Sequence, residues 1–362
     1  MKKIIKNKIL NGLFNSNQKK MQNTTRQNQT LNLKEILLAN MLTASFGGGT
    51  LSTYVIVPMN IMGTLFNSIS ILIFFKKSFR TIALFKYMKI FTLSSLIINT
   101  AGIFGFYFNV SQLFDLAISY AARIFRCYIL PSYVLTFFFF YSNVIDVIIN
   151  IERAVNFSNK YQWFKRTSPY LISFFLLIIC VFINLPNYFL YDIVQDKDIY
   201  IRLRLCVSSA FIQTNLGKVT QVTSYVIQGP VLLVLEVVTN VLSLISFKNY
   251  LKRKSATTRV SNKNLNKKQI KQQRKIEKME QKLLWMTTYM TGFSCIMHII
   301  QLTAQIIIFY IGTNPILSSV LIFLYSFIIS LNHSMNIFFY YFFNINFRKE
   351  LKICKITSTS EE

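Results

Sequence analysis

Apolar residues fall into seven stretches along the chain, each about as long as a helix that crosses a bilayer. Such a helix takes about 20 apolar residues, and none of the seven stretches contains a Lys or Arg. Their only acidic residues are Asp146 and Glu236. The pattern therefore predicts an all-α fold, a bundle of seven transmembrane helices. The predicted spans are residues 52–75, 90–108, 128–150, 169–190, 222–247, 283–309 and 317–342.

Basic residues lie between these stretches. The chain has 362 residues, of which 52% are hydrophobic and 15% charged, and its net charge is +27. So much apolar sequence excludes an intrinsically disordered chain. A high positive charge is typical of nucleic-acid-binding proteins, but here it is segregated from long apolar segments. The implied partner is the lipid bilayer, and no nucleic-acid partner is predicted.

The basic residues also concentrate on one side of the predicted bundle. Most lie in the loops 76–89, 151–167 and 248–282 and in the tail after residue 344, whereas the opposite loops carry few. Because Lys and Arg are enriched in cytoplasmic loops, these segments are predicted to be cytoplasmic. The N-terminus is then outside the plasma membrane and the C-terminus inside.

This orientation divides the chain into three predicted parts. Residues 1–51 form an extracellular tail that is expected to be disordered, residues 52–344 form the transmembrane domain, and residues 345–362 are cytoplasmic. Glycosylation acceptor sequences at Asn23 and Asn28 agree with an outside N-terminus. The basic residues within 1–51 are an exception to this charge rule, because this tail is predicted to lie outside the membrane.

Three cysteines are candidates for modification. Cys127, at the outer start of the third span, and Cys206, in the loop before the fifth, face an oxidising compartment and are candidates for a disulfide. Cys354 lies in a short basic stretch just inside the membrane. Palmitoylation and an unmodified thiol fit that position equally well.

No sequence pattern indicates catalysis or cofactor binding. The chain has no Gly-rich phosphate loop and no hydrolase triad. Cys295 and His298 are three residues apart on one predicted helix, but a metal site needs further ligands, so chance explains the pair. Glu236 is close enough to the inner end of its span to snorkel to the interface, so it ranks below Asp146 as a functional candidate. Neither an enzyme nor a cofactor or metal is predicted.

The end of the seventh span carries the most specific motif. Asn336 and Tyr340 are followed by Phe-Arg-Lys-Glu-Leu at 347–351. This resembles the rhodopsin-like (class A) G protein-coupled receptors, in which Asn-Pro-x-x-Tyr precedes Phe-Arg-x-x-Leu. Ile337 replaces the usual Pro, as in several invertebrate peptide receptors of the family. The resemblance implies a short amphipathic eighth helix at the start of 345–362.

Other spans carry further matches. Glu152-Arg153 at the end of the third span resembles the family's Asp/Glu-Arg-Tyr motif, and the candidate disulfide fits the family's disulfide. Asn67, Asn332 and Pro230 match family positions in the first, seventh and fifth spans. The sixth span departs from the family because it lacks a Pro.

The resemblance implies a switch at the cytoplasmic end of the bundle. Arg153 would pair with Glu152 in the inactive state and, when freed, bind a heterotrimeric G protein. Asn336 and Tyr340 would rearrange along the inner core.

A second departure concerns the polar centre of the bundle. Ser95 stands near the position of the family's sodium-binding Asp in the second span. Asp146 has two interpretations. It replaces that acid as a polar centre near Asn67, Asn332 and Asn336, or it serves packing alone.

The 248–282 segment carries basic residues at helical spacing. This predicts cytoplasmic extensions of the fifth and sixth helices with a basic face for an acidic partner or anionic lipid. The predicted G protein contacts are Arg153, Lys275, Lys278, Lys282 and Arg348.

The ligand is expected to be an extracellular peptide. Leu135 stands where amine receptors of the family carry an Asp, and Ser330 where opsins carry the retinal Lys. The outer loops mix acidic and basic residues, and the resemblance extends to invertebrate neuropeptide receptors of the FMRFamide type. The alternative is a seven-span chemosensory receptor or channel, or a transporter, of another class.

Overall fold

Helices occupy the regions that the apolar pattern marks. In the computed structural model, residues 50–111, 133–158, 164, 166–185, 189, 191–193, 206–208, 210–261, 267–311 and 315–359 are described. The main helices are α1 (Thr50–Phe74), α2 (Ala83–Ser111), α3 (Thr136–Ser158), α4 (Pro169–Asn184), α5 (Asn215–Val226 and Leu232–Ser261), α6 (Lys267–Ile311), α7 (Pro315–Ser334 and Asn336–Phe343) and α8 (Ile345–Thr359). Within these residues, six helices are long and apolar enough to cross a membrane, and α4 is a shorter apolar helix. The all-α prediction is confirmed.

Two details differ from the predicted spans. The α4 helix ends at Asn184, short of the predicted residue 190. The loop after it contains a two-stranded antiparallel ribbon, β1 (Tyr191–Ile193) with β2 (Cys206–Ser208), in which Ile193 lies opposite Cys206. We use this ribbon to name one end of the bundle, the ribbon end, and α8 to name the other, the α8 end.

The helices extend well beyond the predicted spans at the α8 end. α5 continues to Ser261, and α6 already begins at Lys267. Both extensions carry the basic residues whose spacing predicted helix.

Neighbouring helices close the bundle around α3. α1 contacts α2 and α7, α7 contacts α6, α5 packs along α3, and α4 lies against α2 and α3. Large apolar side chains on the outside are exposed, among them Leu72, Phe182 and Val234. The interior, by contrast, buries polar side chains such as Asn67 and Asp146. Apolar surface around a polar interior is the distribution expected in a lipid environment.

A π-helical turn interrupts α5 at Ile227–Val231 and contains Pro230. Proline lacks an N–H and its ring clashes with the carbonyl one turn earlier, so it is disfavoured in a regular helix. The wider π turn accommodates it.

Close packing of α1 depends on Gly63. A Cβ atom at this position would collide with the Ser334 hydroxyl on α7 and the Asn99 amide on α2. The absent side chain lets three helices meet at one level.

An aromatic cluster fixes α8 against the bundle. Phe347, fully buried, lies 5.7 Å from the Phe74 ring and 5.6 Å from the Tyr340 ring, measured between centroids. The Asn344 side chain accepts hydrogen bonds from the backbone N–H groups of Asn346 and Phe347, at 3.1 and 3.2 Å. The side chain caps the new helix while the Phe anchors it.

We expect Phe347→Ala to lower the thermal unfolding midpoint of the purified full chain in lipid nanodiscs. Truncating a buried Phe costs about 3–5 kcal/mol in protein cores. Phe342→Ala is the control, because Phe342 is 63% exposed and faces outward. Equal shifts for both variants would show that Phe347 is not an anchor.

Candidate functional site: the polar core of the bundle

Arg153 lies at the α8 end of α3 and is only 3% exposed. Its guanidinium donates to Asn150 Oδ1 at 3.1 Å, to the Leu284 carbonyl oxygen at 3.0 Å and to Thr288 Oγ1 at 3.2 Å. The last two acceptors belong to α6. Arg153 therefore ties α3 to α6.

Arg153 directs its guanidinium to α6, whereas the resemblance implies a pairing with its neighbour Glu152, which stays a prediction. Consecutive helical residues point about 100° apart, so the two side chains leave α3 in different directions. Glu152 accepts a hydrogen bond from Asn156 Nδ2 at 2.9 Å, one turn further along α3.

Asp146 also faces α6. Its Oδ1 accepts from Thr291 Oγ1 at 3.4 Å, and Asn150 Nδ2 donates to the same hydroxyl at 3.1 Å. Asp146, Asn150 and Arg153 are spaced by four and three residues, so they share one helix face. The hydrogen bond of Asp146 runs to α6, and its role as a centre near Asn67, Asn332 and Asn336 stays a prediction.

His333 forms the polar centre between α1, α2 and α7. The imidazole Nδ1 lies 3.1 Å from Ser95 Oγ, and Asn336 Nδ2 donates to the same hydroxyl at 3.2 Å. Asn67 Nδ2 donates to the His333 carbonyl oxygen at 3.0 Å. His333 is completely buried, and Asn332 next to it is also buried. Sequence reasoning missed His333, although it stands inside the motif region beside Asn332.

Tyr340 lies between this centre and α8. Its hydroxyl is 3.1 Å from Thr92 Oγ1 on α2, and its ring is 5.0 Å from that of Phe74. The predicted residues Asn336 and Tyr340 thus contact the same helix, α2, at two successive levels.

A second pair of ionisable groups joins α5 and α6. His298 Nδ1 lies 3.0 Å from Glu236 Oε2, and the Cys295 thiol points to the same oxygen at 3.7 Å. Glu236 is fully buried, so the snorkelling prediction is wrong. Cys295 and His298, which the sequence does not assign to a metal site, share one helix face and both face Glu236. Sequence reasoning missed the site because the acid comes from another helix.

A small cavity opens beside His298, toward the ribbon end. It holds about 20 Å³, room for about one water molecule or the tip of a polar group. Its lining includes Phe139, Tyr225, Gln228, His298, Gln301 and Tyr325, from helices α3, α5, α6 and α7.

The remaining predicted site residues lie partly outside the described residues. Asn23, Asn28 and Cys127 are among those not described. Cys206 lies in β2 and Cys354 in α8. Of the predicted G protein contacts, Lys275, Lys278 and Lys282 lie on α6, with Lys282 exposed, and Arg348 lies on α8.

Comparison with known proteins relates this arrangement to one solved fold. No protein-family model matches the chain, and no curated protein matches it. The crystal structure of squid rhodopsin matches it with a TM-score of 0.61 and 15% sequence identity, covering 85% of this chain and 84% of that one. The chain has the rhodopsin-like receptor fold.

The rhodopsin-like fold and the apolar helices together make this a multi-pass membrane protein. Within this fold, the polar core has two parts. Arg153, Asp146 and Glu236 connect α3 and α5 to α6, and His333 connects α7 to α1 and α2.

We expect Ser95→Ala to destabilise the full chain, because it removes a shared hydrogen-bond partner of His333 and Asn336 in the bundle interior. An unsatisfied buried polar group costs about 1–3 kcal/mol. The matched control is Ser68→Ala, since the Ser68 hydroxyl donates only to the Thr64 carbonyl of its own helix. Thermal unfolding in nanodiscs measures both. Equal melting midpoints for the two variants would contradict a structural centre at His333.

Proposed function

We propose that the protein is a plasma-membrane G protein-coupled receptor, and not an enzyme, that binds an extracellular ligand and activates a heterotrimeric G protein. The observation that carries the proposal is the bond of Arg153 to α6. In a rhodopsin-like fold, this arginine lies where α3 and α6 meet at the end of the bundle that carries α8 and the basic helix extensions.

The hydrogen bonds of Arg153 hold α6 against α3. A hydrogen bond to a charged group contributes about 1.5–3 kcal/mol, and Arg153 donates two such bonds to α6. Moving α6 outward would leave a buried guanidinium without these acceptors, which is strongly unfavourable. A protein partner that supplies new acceptors removes this penalty and stabilises the open arrangement.

Binding of the ligand and binding of the partner are thermodynamically linked, because both depend on the same open arrangement. A ligand that binds the open arrangement more tightly raises the affinity for the partner, and the partner raises the affinity for the ligand by the same factor. Asn336 and Tyr340 contribute through α7, since separation of α7 from α2 breaks their hydrogen bonds to Ser95 and Thr92.

The cytoplasmic face is assigned to the α8 end. Lys275, Lys278 and Lys282 on α6 and Arg348 on α8 give it the positive charge that suits an acidic partner. Cys354, further along α8, is a candidate for palmitoylation, which would hold α8 at the membrane surface.

The extracellular face is assigned to the ribbon end, and a peptide is the proposed ligand. Asp192 lies in β1, and the loop around it mixes acids with Arg202 and Arg204. A disulfide between Cys127 and Cys206 would tie β2 to the start of the third span and hold the ribbon over the bundle mouth. Such a mouth offers charged and backbone groups to an extended peptide.

Two substitutions should change basal signalling in opposite directions. Arg153→Ala should reduce basal nucleotide exchange to the level of membranes without receptor, because the partner loses its contact. Thr288→Val should raise basal exchange severalfold, because it removes one bond that holds α6 closed while Arg153 remains available. Nucleotide exchange on a panel of purified heterotrimers measures both, with surface expression as the control.

Absence of exchange from every heterotrimer, including with Thr288→Val, would contradict the receptor proposal and favour a channel or transporter. Normal exchange with Arg153→Ala would instead contradict only the assigned role of this residue.

The orientation has its own test. We expect the expressed chain to carry glycans on Asn23 and Asn28, visible as a mass shift that an endoglycosidase removes and that Asn23→Gln with Asn28→Gln abolishes. Asn156→Gln is the matched control. Asn156-Phe157-Ser158 has the same acceptor pattern, but it lies at the predicted cytoplasmic end of α3. Its substitution should therefore leave the mass shift unchanged. A glycan at Asn156 would invert the topology.

A further inference from the structure

Two lysines near the start of α2 lie against aromatic rings of the neighbouring helices. The Lys89 ammonium is 4.4 Å from the ring centroid of Phe75, directly after α1, and 4.9 Å from that of Tyr170, in the first turn of α4. The Lys86 ammonium is 5.9 Å from the centroid of the same Tyr170 ring. Aromatic faces attract cations at such distances, so the rings hold two positive charges in place on the surface of the bundle.

The rings position the ammonium groups without neutralising their charge. Among the described residues, neither Lys86 nor Lys89 has a hydrogen bond or an ion pair with an oxygen. An ammonium group carries three N–H donors, and an aromatic face does not replace an oxygen acceptor. Phe75 and Tyr170 are themselves 51% and 44% exposed. The two ammonium groups therefore lie at the surface with donors available for an acceptor from outside the protein.

An apolar groove continues from these lysines toward the middle of the bundle. α2 contacts both α1 and α4 and forms the floor of the groove. One helical turn further from the α8 end, each of the three helices has an exposed apolar side chain: Leu72 on α1, Leu93 on α2 and Phe174 on α4. Each is three or four residues from the ring or the lysine on its own helix, and therefore on the same helix face. The groove thus has polar donors at one end and apolar side chains along its length, as a phospholipid requires.

The charge around this end of the groove favours an anionic lipid. The loop 76–89 carries five Lys and Arg residues and no acidic residue. Lys89 is the last charged residue before the predicted second span, which puts it at the level where lipid headgroups meet the hydrocarbon region. A zwitterionic headgroup brings no net charge to this level, whereas an anionic headgroup complements the two lysines.

We propose that this groove binds one anionic phospholipid of the membrane leaflet at the α8 end. The headgroup phosphate accepts hydrogen bonds from the ammonium groups of Lys86 and Lys89. One acyl chain lies along α2 against Leu93, between Leu72 and Phe174. The site is separate from the polar core and from the basic extensions of α5 and α6, and it involves no G protein. Its test is therefore independent of the proposed receptor function.

The test measures lipid binding to the full chain by native mass spectrometry after release from detergent micelles. The probes are dioleoylphosphatidylserine, dioleoylphosphatidylcholine with the same chains, and glycerophosphoserine with the anionic headgroup but no chains. We expect phosphatidylserine to bind about tenfold more tightly than phosphatidylcholine, because each lysine near the membrane surface favours an anionic lipid. Glycerophosphoserine at equal concentration should not displace it, because this probe makes no apolar contacts in the groove.

Paired substitutions locate the site. Lys86→Gln with Lys89→Gln should lower the affinity for phosphatidylserine to that for phosphatidylcholine, whereas Lys86→Arg with Lys89→Arg should retain the preference. The matched control is Lys248→Gln with Lys282→Gln, which removes the same charge from exposed lysines of α5 and α6 outside the groove. It should also retain the preference. Leu93→Asn should weaken the binding of both lipids, because it removes part of the apolar floor.

A measurement on the unaltered chain keeps the proposal testable if a variant fails to fold. Raising the concentration of ammonium acetate should lower the preference for phosphatidylserine and leave the affinity for phosphatidylcholine unchanged, because salt screens the attraction between exposed charges. A cooperative thermal unfolding transition shows which variants are folded.

Four results would overturn the assignment. Equal affinity for the two lipids in the unaltered chain would show that no anionic lipid is selected. An equal loss in the groove pair and in the control pair would show that the overall charge of this face attracts the lipid. An unchanged preference after Lys86→Gln with Lys89→Gln would place the lipid elsewhere. Displacement by glycerophosphoserine would show a phosphate site that makes no use of the acyl chains.

Discussion

Five residues of α6, spaced alternately by four and three positions, face the polar groups of α3 and α5. The Leu284 carbonyl and the Thr288 hydroxyl accept from Arg153, and Thr291 bonds to Asp146. Cys295 and His298 meet Glu236. Because water cannot replace these partners in a bilayer interior, losing one of them would leave a buried polar group unsatisfied. The rotation of α6 is therefore set by a seam of hydrogen bonds, whereas its outward face is free to be apolar.

This seam has a mechanical consequence for the proposed receptor. α6 contains no proline between Lys267 and Ile311, so no proline kink divides it into halves that move separately. An outward displacement at Arg153 is transmitted along a continuous helix to Thr291 and His298. The bonds then weaken together, which favours two distinct arrangements of the bundle over a gradual series. A ligand at the ribbon end and a partner at the α8 end would bias the same equilibrium.

The sequence was sufficient for features that depend on local pattern. Apolar run length marks the spans, basic spacing predicts the extensions of α5 and α6, and the Phe-Arg-x-x-Leu block locates the start of α8. Pairings between helices were not predictable in this way. Glu236 and His298 are 62 positions apart, and only the relative rotation of α5 and α6 brings them together. The same reason applies to Arg153, whose acceptors at Leu284 and Thr288 lie 131 and 135 positions away in the sequence.

Phe139 connects the two parts of the polar core. Its ring centroid lies 5.6 Å from that of His298 and 5.8 Å from that of His333, with both contacts edge-on. The ring is buried on α3, and close packing leaves it little space to move independently of either imidazole. A group that enters the cavity and shifts His298 must therefore displace Phe139 or be resisted by it. Through this ring, the α5–α6 pair is in contact with the His333 centre, where Asn336 and Ser95 hold α7 to α2.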